Sequence, residues 1–384
     1  MTATSTVSAG APPPFPASGQ GDFLRALFRE LEDAGVRYCV LQRWDALEEE
    51  LATDHDIDIA VPFGDAGRLP AVIGALARQG YQPIQLLNHA VHSYAVIFGW
   101  MERSALRTVM LDIAFEHRQC GLIWRSADEL VAGRQKPGEF WVAAPEVEFA
   151  YLLVKKLLKD NWKAARNRRF RVLAERLGRG RAEAVIAGIF GGRRKRSILE
   201  ACLNGTPELA LRPLRRRFLW TALAGKPFSL ARYAIEDGLR LGRRWLKPTG
   251  LTLAIEGGTA AGRRQAAARL ADWLSPAFAS VTLAPGCGAA DRAPLRAARL
   301  WWAYWFATRP RLARTGLVIL DDPQGGRLGP ASNLALSLDG AAGDSDEMPR
   351  AAAPWLLGRL AERFRRQHAQ WLRAGAGSAD PGVL

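Results

Sequence analysis

Cysteine and histidine are scarce in this chain, and neither is grouped. Cys39, Cys120, Cys202 and Cys287 are scattered over 384 residues with no C-x-x-C pair. That spacing argues against a disulfide framework and a zinc ribbon, and it fits a reduced, cytoplasmic protein. The five histidines are dispersed as well. His89 and His92 form an isolated H-x-x-H in an apolar stretch, too few ligands for zinc, and read as packed or surface residues. Long apolar runs are also missing: no uninterrupted stretch of about 18 apolar residues occurs, so no membrane span is expected. The first 20 residues, rich in Ala, Ser, Thr and Pro, lack the basic-then-apolar order of a signal peptide and read as a disordered lead-in.

What the chain does hold is apolar residues, at 48%, and an excess of basic ones, with a net charge of +15. The length exceeds one ordinary core, so two or three domains are expected. The basic excess is confined to residues 151–250, which carry 25 Lys or Arg against 7 Asp or Glu. Arg166, Arg168, Arg169 and Arg171 form one cluster and residues 193–196 (RRKR) another; Arg215 to Arg217 precede FLWTAL, and Arg243 and Arg244 precede Trp245 and Leu246. Basic residues beside Trp, Phe and Leu suit a membrane surface, here the inner face of the membrane. The same pattern fits a helical linker with packed aromatics and solvated arginines. Nucleic acid is the weaker partner, because no helix-turn-helix, RNA-recognition or zinc-finger signature accompanies the charge.

Periodicity divides the chain. Residues 22–33 place Phe23, Leu24, Leu27, Phe28 and Leu31 on one helical face, and Gly35 ends the helix. Strands are expected at 38–41, 56–61, 93–98 and 108–115, with a helix at 64–79, giving an α+β domain on a small mixed sheet over 21–145. Residues 146–248 are helix-periodic, without strand signal and without a repeat. From 249 to 375, strands at 251–256, 280–283, 317–320 and 334–338 alternate with helices at 263–274, 295–307 and 354–373, the pattern of a parallel sheet with crossover helices. Residues 376–384 read as a disordered tail. The fold class is α/β, multidomain.

Two constellations carry chemistry. In the first, Asp56 and Asp58 are two apart on a strand, so both carboxylates leave the same face. Asp112 stands inside the apolar run TVMLDIAF, where an unpaired buried carboxylate is costly. A shared divalent metal relieves that cost, and three carboxylates on adjacent strands suit two Mg²⁺ ions with a nucleoside triphosphate. Arg43, just upstream, has the forked guanidinium that grips phosphate. The alternative is a solvated strand end with surface acids.

Asp56-x-Asp58 followed by Asp112 resembles the nucleotidyltransferase superfamily of the DNA polymerase β type. More closely, YCVLQRWDALEEELATDHDIDIAVP with VMLDIAF resembles a bacterial group of uncharacterised nucleotidyltransferases. The resemblance implies that Asp56 and Asp58 are paired metal ligands and that Asp112 assists the metal nearest the attacking hydroxyl. Where the wider superfamily carries a Gly-Ser turn, this chain has Gln42-Arg43-Trp44.

The second constellation is GLTLAIEGGTAAGRR, residues 250–264, a strand running into a glycine-rich turn with P-loop spacing at Gly257 and Gly262, Gly258 lying between. Arg263 stands at the lysine position, and Arg264 at the magnesium-ligating hydroxyl, where it has no acceptor atom. IEGGTAAGRR with LWWAYWFATRPRLARTGLVILDDP resembles thymidylate kinases over residues 250–373. Asp321 matches the aspartate of their Asp-Arg-Tyr segment, whereas Asp322 and Pro323 replace its arginine and tyrosine. The fusion of these parts resembles proteins of bacterial exopolysaccharide and capsule assembly, which implies a sugar or polyol phosphate as substrate. Three readings follow: a Mg²⁺-dependent nucleotidyltransferase, a non-catalytic pseudokinase or adaptor of a polysaccharide-assembly complex, and a kinase that uses Arg263.

Overall fold

Strand β4 (Ser93–Glu102) shows why the first sheet is covered on both sides. Its side chains alternate with period two. Tyr94, Val96, Phe98 and Trp100 enter one hydrophobic core, and Ala95, Ile97 and Met101 another. A strand that alternates between two apolar sets is stable only between two packed layers. The structure, a computed structural model, describes residues 19–41, 56–102, 105–119, 122–159, 164–204, 216, 218–220, 223–224, 228–246, 249–257, 259–275, 278, 280–285, 312, 316–322, 334–337 and 348–374.

In chain order, the first half holds α1 (Gln20–Asp33), β1 (Cys39–Val40), β2 (Asp56–Ala60), α2 (Leu69–Arg78), β3 (Gln82–Ala90), β4, β5 (Ala105–Ala114), β6 (Glu116–Gln119), β7 (Leu122–Ser126) and α3 (Ala127–Val131). A 3₁₀ turn over Phe63–Arg68 precedes α2, where one helix was expected to run from 64. The sheet order is β1-β2-β5-β4-β3, with β2 and β5 parallel and the other pairs antiparallel, so the sheet is mixed as expected. β6 and β7 form a separate hairpin. α1 is amphipathic because Phe23, Leu27 and Leu31 recur at i, i+4 and i+8. It ends where Gly35 adopts φ 65°, a backbone state that favours glycine. Phe23 stacks on Trp100 at 5.4 Å and meets Tyr81 edge-on at 5.1 Å.

The middle is helical throughout its described residues: α4 (Pro145–Lys159), α5 (Ala164–Leu177), α6 (Arg179–Phe190), α7 (Lys195–Asn204) and α8 (Ser229–Leu246). Phe149, Leu153, Phe170, Ile186, Phe190 and Cys202 make its core. Part of the basic excess is consumed internally. Arg169 grips buried Glu148 through two bonds of 2.6 and 2.7 Å, and Lys195, Arg196 and Arg179 surround buried Glu183.

The last third holds β8 (Leu251–Glu256), α9 (Ala260–Leu274), β9 (Ser280–Pro285), β10 (Gly316–Asp322), β11 (Leu334–Ser337), α10 (Met348–Gln367) and α11 (Ala369–Ala374). Its four strands run parallel in the order β11-β8-β10-β9, matching the expected pattern; the helix expected over 295–307 lies outside the described residues. One core joins this part to the first sheet. Leu356, Leu357 and Leu360 of α10 pack with Ile84, Ala95 and Ile97 and with Leu251 and Leu253. Gly99 permits the approach: a Cβ there would lie 3.0 Å from Leu357 Cδ1. Among the described residues no helix is long and apolar enough to cross a membrane.

Candidate active site

The strand β2, DIDIA, sends Ile57 and Ile59 into the core and turns Asp56 and Asp58 to the opposite face. β5 runs parallel beside it in a register that sets Asp58 opposite Asp112 and Asp56 opposite Met110. Neighbouring strands are about 4.8 Å apart, so Asp58 and Asp112 are lateral neighbours on one face. Ser93, at the start of β4, donates from Oγ to Asp112 Oδ1 at 3.3 Å.

Helix α4 supplies a cation to this face. Lys155 Nζ lies 2.9 Å from Asp58 Oδ2 and also donates to the Tyr151 hydroxyl at 2.9 Å, one helical turn earlier. Both Lys155 and Asp58 are largely shielded from solvent. Burial works against the ammonium; the Tyr151 oxygen and the Asp58 carboxylate outweigh it, so the pKa of Lys155 is raised and it stays charged. Burial likewise raises the Tyr151 hydroxyl. Asp112 is pushed up to about 7, first by burial and then by the Asp58 charge, against the pull of Lys155 and the Ser93 hydrogen bond. A carboxylate at that value accepts and releases a proton near neutral pH.

Neither Lys155 nor Tyr151 was singled out from sequence. The available signal was weak: a lysine four residues after a tyrosine inside the apolar run EFAYLLVKKLLK. Arg43 lies outside the described residues, so its expected phosphate grip has no structural counterpart here.

The glycine-rich loop sits on the second sheet, apart from these acids. Gly257 has φ 72°, which favours glycine, and follows β8 directly. Thr259 caps α9 by accepting the Gly262 amide at 3.1 Å. Arg263 is buried, and its Nη1 donates to the Gly257 carbonyl at 3.1 Å, closing the loop on itself. Gly258 lies outside the described residues. Asp321 stands on β10 opposite Ile255, at the same carboxyl end of the sheet as the loop. In parallel sheets that edge is where ligands bind.

The donor chemistry of Asp56, Asp58 and Asp112 suits a hard divalent cation. In their present arrangement, however, no group of three His, Cys, Asp or Glu among the described residues is placed to hold a metal ion. Among the described residues, Asp58 is paired with the Lys155 ammonium.

No family model and no curated protein matches the chain. Two solved structures from Helicobacter pylori are similar to it. JHP933 has a TM-score of 0.28 at 12% identity, covering 58% of this chain and 95% of its own. A candidate nucleotidyltransferase has a TM-score of 0.31 at 11% identity, covering 57% of this chain and 95% of its own. At these scores the likeness carries no argument about fold or activity, which rest on the geometry above.

Proposed function

We propose that the first sheet carries a nucleotidyltransferase-type site, acting on a sugar or polyol phosphate with a nucleoside triphosphate as donor. The observation that supports this reading is the lateral pairing of Asp58 with Asp112, with Asp56 two residues upstream on the same face. Such a pairing is unfavourable for stability, because it sets two carboxylates together away from water. Asp56, Asp58 and Asp112 are the residues that would hold Mg²⁺, but only after the Lys155–Asp58 pair opens, since as they stand they are not grouped around an ion; bound there, the ion would neutralise the triphosphate and lower the pKa of an attacking hydroxyl. Asp112 would accept the hydroxyl proton, as the acid that lies beside Asp58 on the neighbouring strand. Ser93 orients that carboxylate. Lys155 holds Asp58 in place, and Tyr151 positions Lys155. The acceptor class and the link to polysaccharide assembly rest on the resemblance of the chain's parts alone.

The test is a titration of the full chain with ATP, CTP, GTP and UTP, with and without Mg²⁺, in the native protein and in Asp56→Ala/Asp58→Ala. Mg²⁺-dependent binding that the double variant loses is the expected result. Binding that survives it, but is lost in Arg263→Ala, overturns the assignment and moves the site to the glycine-rich loop.

The Lys155–Asp58 ion pair favours a second reading, a non-catalytic adaptor in which the ammonium takes the place of the metal for good. It predicts no nucleotide binding in the native protein under any of these conditions.

A further inference from the structure

Helix α8 is mounted inside out. In a surface helix the apolar stripe normally faces the core and the polar residues face water. Here the polar side faces the protein. Glu236 accepts from buried Arg118 at 3.1 Å, and the Arg118 guanidinium lies over the Tyr233 ring at 5.5 Å. Arg240 donates to the Asn88 carbonyl at 3.0 Å and pairs with Asp237 at 2.7 Å. The apolar side faces outward: Phe228 is 84% exposed, Ile235 65%, Leu239 60% and Leu246 75%. These four recur at i, i+7, i+11 and i+18, one line along the helix. Leu230, Leu241 and Trp245 widen it on one flank.

Charge identifies the occupant. Both acids of the helix are neutralised by arginines and partly shielded: Glu236 pairs with Arg118 and, at 2.6 Å, with Arg232, and Asp237 pairs with Arg240. The residues beside the outward apolar line are basic: Arg232 and Arg243 are exposed there. Arg215 to Arg217, Lys226 and Lys247 extend the basic character in sequence on either side, with no acid among residues 209–235. An apolar line edged by arginines, with both carboxylates of the helix neutralised, is complementary to an anionic lipid surface, where the line enters the acyl boundary and the guanidiniums meet headgroup phosphates. A protein groove would need no such one-sided exclusion of acids.

We propose that α8 docks this chain flat on an anionic phospholipid bilayer through Phe228, Ile235 and Leu239, with Arg243 on the headgroups and Arg232 beside it, its Nε held by Glu236. The docked face is tied to the acidic pair by a short path. Asn88, whose carbonyl accepts from Arg240, lies near the end of β3 before the turn to Ser93, and Ser93 donates to Asp112. Beside it Glu116 takes both His92 and Arg118, and Arg118 reaches back to Glu236. Docking therefore sets the turn next to Asp112 close to the lipid surface, whether or not that site turns over nucleotide.

The experiment is flotation of the full chain with vesicles of phosphatidylcholine alone and of equimolar phosphatidylcholine and phosphatidylglycerol, at low and high salt. The expected result is binding to the anionic vesicles only, weakened by salt. Ile235→Asp/Leu239→Asp abolishes it, and Arg243→Glu weakens it roughly 10-fold. All these side chains are exposed, so far-UV circular dichroism of the variants should match the native protein. Absence of binding by the natively folded chain overturns the proposal, as does equal binding to neutral vesicles. A lipid-independent dimer that Ile235→Asp/Leu239→Asp dissociates, without vesicle binding, overturns it in favour of a second copy on this face.

Discussion

Lys155 Nζ sits 2.9 Å from Asp58 Oδ2, and Asp58 stands opposite Asp112 across the parallel pair β2–β5. One ammonium thus serves two neighbouring carboxylates, the first by direct contact and the second through its field. Removing it takes that charge away from two acids that lie side by side in a shielded place. Breaking one side of a buried pair costs about 3 kcal/mol. Lys155→Met keeps the length and apolar stem of the side chain, so the loss measures the charge. Without the ammonium the folded-state pKa values of the acids rise above their unfolded values. The folded protein then binds more protons than the unfolded chain, and the variant regains stability as the pH falls. Urea denaturation of Lys155→Met and native protein at about pH 8 and about pH 5 should show a deficit that is large at the first and shrinks at the second. A deficit independent of pH would mean that Lys155 acts by packing alone.

Asp112 carries a cost that the native protein bears at neutral pH. Its carboxyl is raised from 3.8 to about 7 on folding, by burial and by Asp58. Between those values the folded state holds a proton that the unfolded chain has released. Stability from this group therefore falls as the pH rises through that window, and is lowest above it. Asp112→Asn removes the ionisation and keeps a partner for Ser93. It should stabilise the protein by on the order of 3 kcal/mol above the window, with the difference vanishing toward the acid end. Mg²⁺-dependent nucleotide binding should be lost in the same variant. Unchanged stability at alkaline pH would show that the carboxylate is better solvated or paired than its position indicates. A residue that destabilises the fold yet is needed for binding is what a working site contains.

The acids were legible from sequence because strand geometry is so regular. Period two puts Asp56 and Asp58 on one face, and an acid inside TVMLDIAF has few reasons to be there. The register that sets Asp58 opposite Asp112 is a tertiary fact, although two parallel strands of opposite pattern would have wasted one face. Lys155 was not legible. EFAYLLVKKLLK offers Lys155, Lys156 and Lys159, and only the placement of α4 beside Asp58 decides which of them meets an acid. Strand β3, QPIQLLNHA, is not legible in the sequence because Pro83 and Gln85 interrupt its apolar pattern. In the sheet Gln85 is buried and donates to the Thr249 carbonyl. The orientation of α8 was hidden for a related reason. Its amphipathic pattern is plain, but a pattern gives the two faces and not which of them is turned to the protein.

The shared core between the first sheet and α10 gives a third prediction. Gly99 lies on β4 facing Leu357, and a Cβ there would come within 3.0 Å of Leu357 Cδ1, tighter than ordinary contact. Ile84 Cγ2 and Cδ1 would both lie 3.5 Å from the same added atom, so a larger side chain there meets two neighbours. Gly99→Val is otherwise favourable, since a β-branched residue suits a strand. Overpacking should nevertheless win, at about 1–3 kcal/mol of destabilisation. Leu357→Ala opens a cavity in the same place and should cost about 2–5 kcal/mol by itself. Combined, the new valine side chain partly fills the space that the leucine leaves. The double variant should therefore be more stable than the sum of the two single losses, by about 1 kcal/mol or more. Denaturant midpoints of the four proteins complete the cycle. Strict additivity would mean that β4 and α10 are not in contact in solution, and that the two sheets do not share a core through this helix.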